Sequence, residues 1–515
     1  MINILWADDE IDLLKPHVLF LEEKGYHVET VNNGDDALEK VRQNHFDIVF
    51  LDEQMPGISG IETLMKVKQT HPSLPVVMIT KSEEENIMDD AIGSKISDYL
   101  IKPVNPRQIL LSIKKNLDSK RLMSEKTTSQ YQQEFRNIGM TLGDNLSTDE
   151  WIDIYKKIVY WEIELEESKD EGMFEILKTQ KQEANNLFAR FVESNYTDWL
   201  NGNSNDSPLL SHQLFKEKVA NEISGSKPLF MILIDNLRYD QWMMLRPIFR
   251  EFFRIEKEEL YYSILPTATQ YSRNAIFAGL LPSEIEKMFP NLWLNDEDEG
   301  GKNLHEDKFL ENQLKRLGKN IKHSYHKITN LNNGKKLADN IPNLMSNQLN
   351  VIVYNFVDML SHARTDMEVI RELADDEAAY RSLTISWFEH SPLFDIFRQI
   401  AEKKCRVIVT TDHGTIRVTA PSKVIGDRNT NTNLRYKQGK NLSYVKKEVF
   451  EVRNPTDAFL PKQHVSSAFI FAKEDMFFAY PNNYNYYVNY YRNTFQHGGV
   501  SLEEMLIPVV SLVGK

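Results

Sequence analysis

Seven residues in the C-terminal half of the chain have types suited to phosphoryl chemistry: Asp235, Thr269, Asp358, His362, Asp412, His413 and His497. Most of them follow an apolar run that reads as a buried strand, as FMILI does before Asp235 and CRVIVTT before Asp412. The carboxyl ends of parallel strands are where an α/β sheet brings such side chains together. Asp358 and His362 stand four residues apart, which suits two ligands on one helical turn. His497 lies in FQHGG, where glycine allows close backbone approach. Imidazole and carboxylate ligands together suit Zn²⁺ or Mn²⁺ better than Mg²⁺. Two such ions about 4 Å apart would stabilise both oxygens of an in-line phosphoryl displacement, and a hydroxyl between them becomes a nucleophile. Thr267 and Thr269 in LPTATQYSRNA both offer that hydroxyl, just ahead of a helix start whose amides suit a phosphate. Arg273 and Arg238 are candidates for bidentate contact with a substrate phosphate, or equally for ion pairs.

A second constellation lies near the N-terminus. Asp8 and Asp9 follow INILWA, Asp52 ends DIVFLD, Thr80 ends VVMIT, and Lys102 with Pro103 follows SDYLI. Three clustered carboxylates repel one another unless a divalent cation neutralises them, and hard oxygen ligands suit Mg²⁺. Asp52 is then the candidate phosphoryl acceptor, with the Lys102 ammonium and the Thr80 hydroxyl meeting the phosphoryl oxygens.

The elements that must position these groups are legible as patterns. Residues 1–117 alternate short apolar runs with amphipathic stretches and spell five strands and five helices of a doubly wound sheet. Residues 118–205 change to helical periodicity, a connector bundle. There Ser147 to Glu150 reads as a capping box, and Trp151, Ile154, Ile158 and Trp161 form one apolar face. The run NGNSNDSPLLS, residues 201–211, reads as a linker. Residues 206–515 return to alternating strands and helices, a second α/β domain. With 515 residues, three domains of about 150 residues each are expected.

A formal net charge of -14 argues against a general nucleic-acid coat but leaves room for a local basic groove. Between residues 421 and 453 stand Lys423, Arg428, Arg435, Lys437, Lys440, Lys446, Lys447 and Arg453, with Tyr436 and Tyr444 among them, and YPNNYNYYVNYYRNTF precedes His497. Basic side chains interleaved with aromatics suit a single-stranded polyanion. The plainer alternative is a solvated loop followed by a tyrosine-rich strand pair. No basic recognition helix is present, so a DNA-binding output is not expected. The single cysteine, Cys405, excludes intramolecular disulfides and is expected to be buried packing in a reducing compartment. No apolar run reaches the roughly 18 residues a membrane span needs, so the expectation is a cytoplasmic protein.

The strings ADDE, LDEQMPG, MITK and YLIKP resemble the motifs of response-regulator receiver domains. That resemblance implies phosphorylation of Asp52 by a sensor histidine kinase, Mg²⁺ held by Asp8, Asp9 and Asp52, and Tyr99 as the aromatic that reorients with Thr80. It also implies a cis Lys102-Pro103 bond. The strings LIDNLRYD, PTATQYSRNA, VDMLSH, TTDHG and QHGGVSLEEMLIPVV resemble the PglZ-type branch of the alkaline phosphatase superfamily. This implies two Zn²⁺ ions, one held by Asp235, Thr269, Asp412 and His413, the other by Asp358, His362 and His497. Thr269 is implied as nucleophile, being the second threonine of a TxT string.

The order of receiver, helical connector and PglZ-type domain resembles a family of response regulators associated with type IX secretion. The implied function is a phosphorylation-promoted homodimer that controls a zinc-dependent phosphodiesterase acting on oligonucleotides, cyclic ones included. The competing expectation is a phosphorylation-gated scaffold that binds a sigma factor or secretion component, with a structural metal site.

Overall fold

The computed structural model describes residues 2–71, 74–80, 96–168, 171–223, 227–355, 357, 376–427 and 430–515. They form two compact units, one of residues 2–131 together with Ser168, the other of residues 132–167 and 171–515.

The first unit is built on a parallel sheet of order β2-β1-β3-β4-β5, with β1 Asn3–Ala7, β2 His27–Val31, β3 Ile48–Asp52, β4 Val76–Thr80 and β5 Asp98–Ile101. The central strands β3 and β4 are buried throughout, which is why they read as unbroken apolar runs. Alternate side chains of one strand enter opposite cores: Val49 and Leu51 of β3 pack in one, Ile48 and Phe50 in the other. Helices α1 (Lys15–Glu23), α2 (Gly34–Gln43) and α3 (Gly60–Thr70) cover the sheet. Asn33 caps α2, and a Ser59/Glu62 capping box opens α3. The expected helix between β4 and β5 falls on residues 81–95, outside the described residues. Helix α4, Pro106–Leu142, begins in this unit and ends in the next.

The second unit opens with the end of α4, then α5 (Thr148–Ser168) and α6 (Glu171–Asn201). The Ser147 amide donates to Glu150 at 2.8 Å, as the capping pattern requires. Trp151, Ile154, Ile158 and Trp161 are all buried, and Trp151 meets Phe188 of α6 at a ring separation of 5.4 Å. The segment 201–211 does not hang free: Asp206 accepts from the amide and the hydroxyl of Thr148 at 2.9 and 2.8 Å.

A six-stranded mixed sheet follows. Its strands are β6 Leu229–Ile234, β7 Phe253–Tyr262, β8 His323–Ile328, β9 Leu349–Tyr354, β10 Arg406–Thr410 and, at the end of the chain, β18 Leu506–Gly514. The order is β7-β18-β10-β6-β9-β8; β10, β6, β9 and β8 run parallel, and β18 and β7 add an antiparallel edge. Helices α7 (Tyr239–Phe252), α8 (Thr269–Ala278) and α9 (Glu377–Glu389) matter for the site.

Between β10 and β18 lies an insertion of small sheets: β11 Ile416–Arg417, β12 Ala420–Lys423, β13 Tyr436–Lys440, β14 Val449–Val452, β15 Ser467–Ala472, β16 Met476–Ala479 and β17 Phe495–Gln496. The tyrosine run in it is helical (α10, Tyr484–Tyr491), not a strand pair. Tyr486 stacks on Tyr490 and Tyr487 on Tyr491, each at 6.2 Å, so pairs four residues apart favour the helix. Cys405 is buried beside β10. Among the described residues no helix is long and apolar enough to cross a membrane.

Candidate active site

The adjacent parallel strands β6 and β10 deliver three of the described ligand-type residues. Asp235 follows β6, Asp412 and His413 follow β10, and Asp358 comes after β9. Asp235, Asp412 and His413 are fully buried and offer ligand atoms within 4.8 Å of one another. The turn after β6 needs a left-handed residue, supplied by Asn236 at φ 65. Thr411 braces the turn after β10: its hydroxyl accepts from the Leu237 amide at 3.0 Å and donates to the His413 carbonyl at 3.0 Å.

His413 is oriented by its own backbone. Its Nδ1 lies 3.1 Å from the Gly414 carbonyl, so Nδ1 carries the proton and Nε2 presents its lone pair to the cluster. That Nε2 is 3.8 Å from Asp412 Oδ2 and 4.0 Å from Asp235 Oδ1. Thr269 is the first residue of α8, and its hydroxyl lies 3.0 Å from His413 Nε2 and 3.5 Å from Asp235 Oδ1. The Thr267 hydroxyl faces elsewhere. It donates to the Gly499 carbonyl at 2.9 Å and accepts from the Gly498 amide at 3.0 Å.

His497 joins the cluster by ring stacking, its centroid 4.2 Å from that of His413, and its Nδ1 is 3.1 Å from the Thr267 carbonyl. Its turn needs glycine: Gly498 has φ +124, and a Cβ on Gly499 would sit 2.4 Å from the Ala472 carbonyl. Asp358 and His362 lie outside the described residues.

Electrostatics make the cluster a candidate cation site. Burial, then repulsion from Asp235, pushes the Asp412 carboxyl up to about 6. Burial acts on Asp235 too, but Arg273 and His413 hold it below the usual carboxylate range. Asp412 Oδ2 is buried with no hydrogen-bond donor among the described residues, an arrangement that is costly unless a cation is bound. Two carboxylates and an oriented imidazole with such an oxygen fit a divalent transition metal.

The two arginines are placed differently from each other. Arg273, 1% exposed, donates from Nη1 to Asp235 Oδ2 at 2.7 Å and from Nε to Glu306 Oε1 at 2.5 Å. Arg238 is equally buried but turns away from the cluster, to Asp240 and Glu377. Glu306 escaped sequence reasoning. It also accepts from Tyr325 at 2.6 Å and Lys327 at 2.8 Å, which makes it the buried anchor behind Arg273. Its surroundings, HEDKFLENQLKR, read as a solvated helix and carry no signal of that role.

At the carboxyl ends of β1 and β3, Asp8, Asp9 and Asp52 form a second group that can hold a cation. Lys102 Nζ lies 3.0 Å from Asp8 Oδ2 and 3.0 Å from Asp52 Oδ2, and the Lys102-Pro103 bond is cis. Burial, with repulsion from Asp8 and Asp9, pushes Asp52 up to about 6 against the pull of Lys102. The Thr80 hydroxyl donates to Glu53, and Tyr99 is 57% exposed. The set of three carboxylates fits Mg²⁺ at this site.

The expected basic groove is only partly formed. Arg435 is buried in a two-pronged pair with Glu504, whose carboxylate also accepts from the Gly499 amide at 2.9 Å, so it supports the His497 turn. Lys437 is buried as well, because β13 is covered on both faces. Arg428 lies outside the described residues; Lys423, Lys446, Lys447 and Arg453 are exposed.

Lys437 is matched by no carboxylate among the described residues. Its Nζ donates to the Asn431 carbonyl at 2.7 Å and lies 4.7 Å from the Tyr480 ring centre, and burial pushes its pKa down to about 7. Between pH 7 and the unfolded value near 10.5 the unfolded chain binds more protons, so stability rises with pH across that window. Lys437→Met should therefore stabilise the protein most below pH 7, by on the order of 2 kcal/mol, and the gain should fade towards pH 10. Calorimetric melting at pH 6 and pH 9.5 checks this; an equal shift at both would contradict it.

Comparison with known proteins places these observations. Residues 4–114 match the profile of the response regulator receiver domain, residues 121–200 that of the PorX response regulator linker domain, and residues 214–512 that of the BREX system PglZ alkaline phosphatase-like domain. Among curated proteins, the transcriptional regulatory protein ZraR of Klebsiella oxytoca is 36% identical over 138 residues, 27% of this chain and 31% of ZraR. ResD of Bacillus subtilis is 32% identical over 112 residues, 22% of this chain and 46% of ResD. The chain thus spans less than half the length of these relatives. Among solved structures, a CheY-like receiver domain protein from Methanospirillum hungatei matches with 30% identity and a TM-score of 0.22, covering 23% of this chain and 95% of that one. The Thermotoga maritima protein TrrA matches with 29% identity and a TM-score of 0.21, over 22% and 99% respectively. With more than half its length matched by the PglZ profile, the chain belongs to the PglZ alkaline phosphatase-like family, in the PorX-type arrangement of receiver, linker and PglZ domain.

Proposed function

We propose that this protein is a two-component response regulator, phosphorylated on Asp52 by a sensor histidine kinase, that controls a two-zinc phosphodiesterase acting on oligonucleotides, cyclic ones included. Its regulatory target is type IX secretion, and phosphorylation promotes a homodimer. The observation that carries the catalytic reading is the Thr269 hydroxyl at the start of α8, within 3.0 Å of His413 Nε2 and 3.5 Å of Asp235 Oδ1. A purely structural metal site has no use for a hydroxyl there, which favours the enzyme over a scaffold.

Asp235, Asp412, His413 and Thr269 would hold one zinc ion, and His497 with Asp358 and His362 the other. Bound zinc neutralises charge on the phosphoryl oxygens and lowers the pKa of coordinated hydroxyls. Thr269 Oγ gives up its proton and attacks phosphorus, the bond to the leaving oxygen breaks and that oxygen takes up a proton; water then cleaves the threonyl phosphodiester, restoring the hydroxyl and releasing the phosphate monoester. The start of α8, which has no side-chain cap at Ala268, favours through the helix dipole the negative charge that develops beside Thr269. Arg273 is poised next to the same carboxylates to contact a non-bridging phosphate oxygen, steadied by Glu306. Asp8, Asp9 and Asp52 would hold Mg²⁺ in the receiver, and Lys102 would pair with the acquired phosphoryl group.

Hydrolysis of bis-p-nitrophenyl phosphate by the purified chain with Zn²⁺ tests the activity. The untreated protein should carry about two equivalents of zinc by elemental analysis, and chelation should remove both the metal and the turnover. A protein that turns over the diester equally well after metal stripping would refute the reading.

A further inference from the structure

The linker helices α5 and α6 reach the metal-ligand segments through a buried ionic chain. Lys181 on α6 places Nζ 3.0 Å from Glu162 Oε2 on α5 and 3.1 Å from Glu503 Oε1. Glu162 Oε1 lies 3.4 Å from Arg381 Nη1 on α9, and that nitrogen also donates to Asp240 Oδ2 at 2.9 Å. Arg381 pairs with Glu166 as well. Asp240 binds the Arg238 guanidinium, whose second partner is Glu377 on α9. Glu162, Arg238, Asp240, Arg381 and Glu503 are each at most 5% exposed.

The far ends of this chain touch the ligand segments themselves. Arg238 stands three residues after Asp235, and its guanidinium lies 5.1 Å from the ring centre of Phe495, two residues before His497. The Glu503 carbonyl occupies the space beside Gly414, which follows Asp412 and His413: a Cβ there would come within 2.0 Å of it. Asn185, one turn beyond Lys181, donates to Glu503 Oε2 at 3.0 Å and accepts the Leu502 amide at 2.8 Å.

Burial opposes these charges, yet partners hold Asp240 and Glu377 below the ordinary carboxylate range and Lys181 and Arg381 above theirs, so those four are charged at neutral pH. A mere spacer would meet the catalytic domain through solvated pairs worth little. Buried pairs behave otherwise, because removing one partner strands the other and shifts whatever it supports.

We propose that Lys181 and Glu162 are positioning residues of the metal centre: the linker helices form part of the catalytic scaffold and hold the Asp235, Asp412–His413 and His497 segments in ligating register through Arg381, Arg238 and Glu503. This rests on the metal-site reading above. Its consequence is that displacement of α5 or α6 changes metal affinity directly.

The test uses the full chain with Lys181→Met, Glu162→Gln and Lys181→Arg. Zinc affinity is measured by chelator competition, alongside kcat and KM for bis-p-nitrophenyl phosphate and far-ultraviolet circular dichroism. Lys181→Met and Glu162→Gln should weaken zinc binding about tenfold to a hundredfold with helix content retained, as loss of outer-shell support does at metal sites. KM should change little while kcat falls, and Lys181→Arg should restore affinity to within about threefold of the original. If Lys181→Met does not fold, the near-isosteric Glu162→Gln decides. Zinc affinity within about twofold of the original in the folded variants, even with a lowered melting temperature, overturns the proposal. Original protein that takes up no zinc overturns the metal-site reading and this proposal with it; zinc uptake with unperturbed variants overturns this proposal alone.

Discussion

Thr269→Ala should lower kcat/KM for bis-p-nitrophenyl phosphate by about a thousandfold or more, equivalent to about 4 kcal/mol of transition-state stabilisation. Zinc should be largely retained, because Asp235, Asp412 and His413 remain and offer ligand atoms within 4.8 Å of one another. Asp235→Ala should do the opposite in order of cause, losing zinc first and activity as a result, and it also leaves the buried Arg273 without one of the two carboxylates it hydrogen-bonds. Thr267→Ala is the informative control. Its hydroxyl bonds the Gly498–Gly499 turn, not the cluster, so the loss is of turn stability, about 1–3 kcal/mol, with chemistry reduced only as far as His497 moves. Thr269→Ala with more than a tenth of the original turnover would remove Thr269 as nucleophile and return the choice to Thr267.

The second large effect concerns the receiver. Asp52→Asn should abolish covalent phosphorylation by a small phosphodonor, read by intact mass, together with any phosphorylation-dependent dimer seen by sedimentation. The asparagine keeps the shape at the end of β3, where the Asp52 carbonyl leaves no room for a Cβ on Gly60, so the fold should be unharmed. It removes the one carboxylate that Lys102 reaches besides Asp8. Phosphate uptake that persists in Asp52→Asn, at Asp8 or Asp9 for instance, would sink the assignment. Unchanged uptake combined with unchanged oligomeric state in the original protein would separate the phosphorylation from the proposed dimer switch.

Much of this architecture could be read before any coordinates. The central receiver strands β3 and β4 are buried on both faces, so period and polarity leave little choice there, and the polar residues at their ends stand out against apolar runs. The same logic located Asp235, Asp412 and His413, because a buried strand that ends in a charged residue is a local signal. Failures came where environment is set from far along the chain. The tyrosine run before His497 has strand-forming composition, yet stacking four residues apart and burial of Val488 make it a helix. Arg435 and Lys437 look like members of a basic surface, but Glu504 and the covering of β13 draw them inside.

By itself, then, the sequence determined the order of the domains, the strand ends that collect acidic and imidazole side chains, and the residue types available there. These follow from local periodicity and from which residues may terminate an apolar strand. Only the tertiary structure decided which of two threonines faces the carboxylates, that Arg238 turns to Asp240 and Glu377 while Arg273 turns to Asp235, and that Glu162 and Lys181 of the linker reach the catalytic interior. Apart from the local Arg238–Asp240 pair, those outcomes depend on polar contacts between residues about twenty to hundreds of positions apart. A charged side chain looks the same in sequence whether water or a distant partner satisfies it, and the difference is made by burial, which only packing sets.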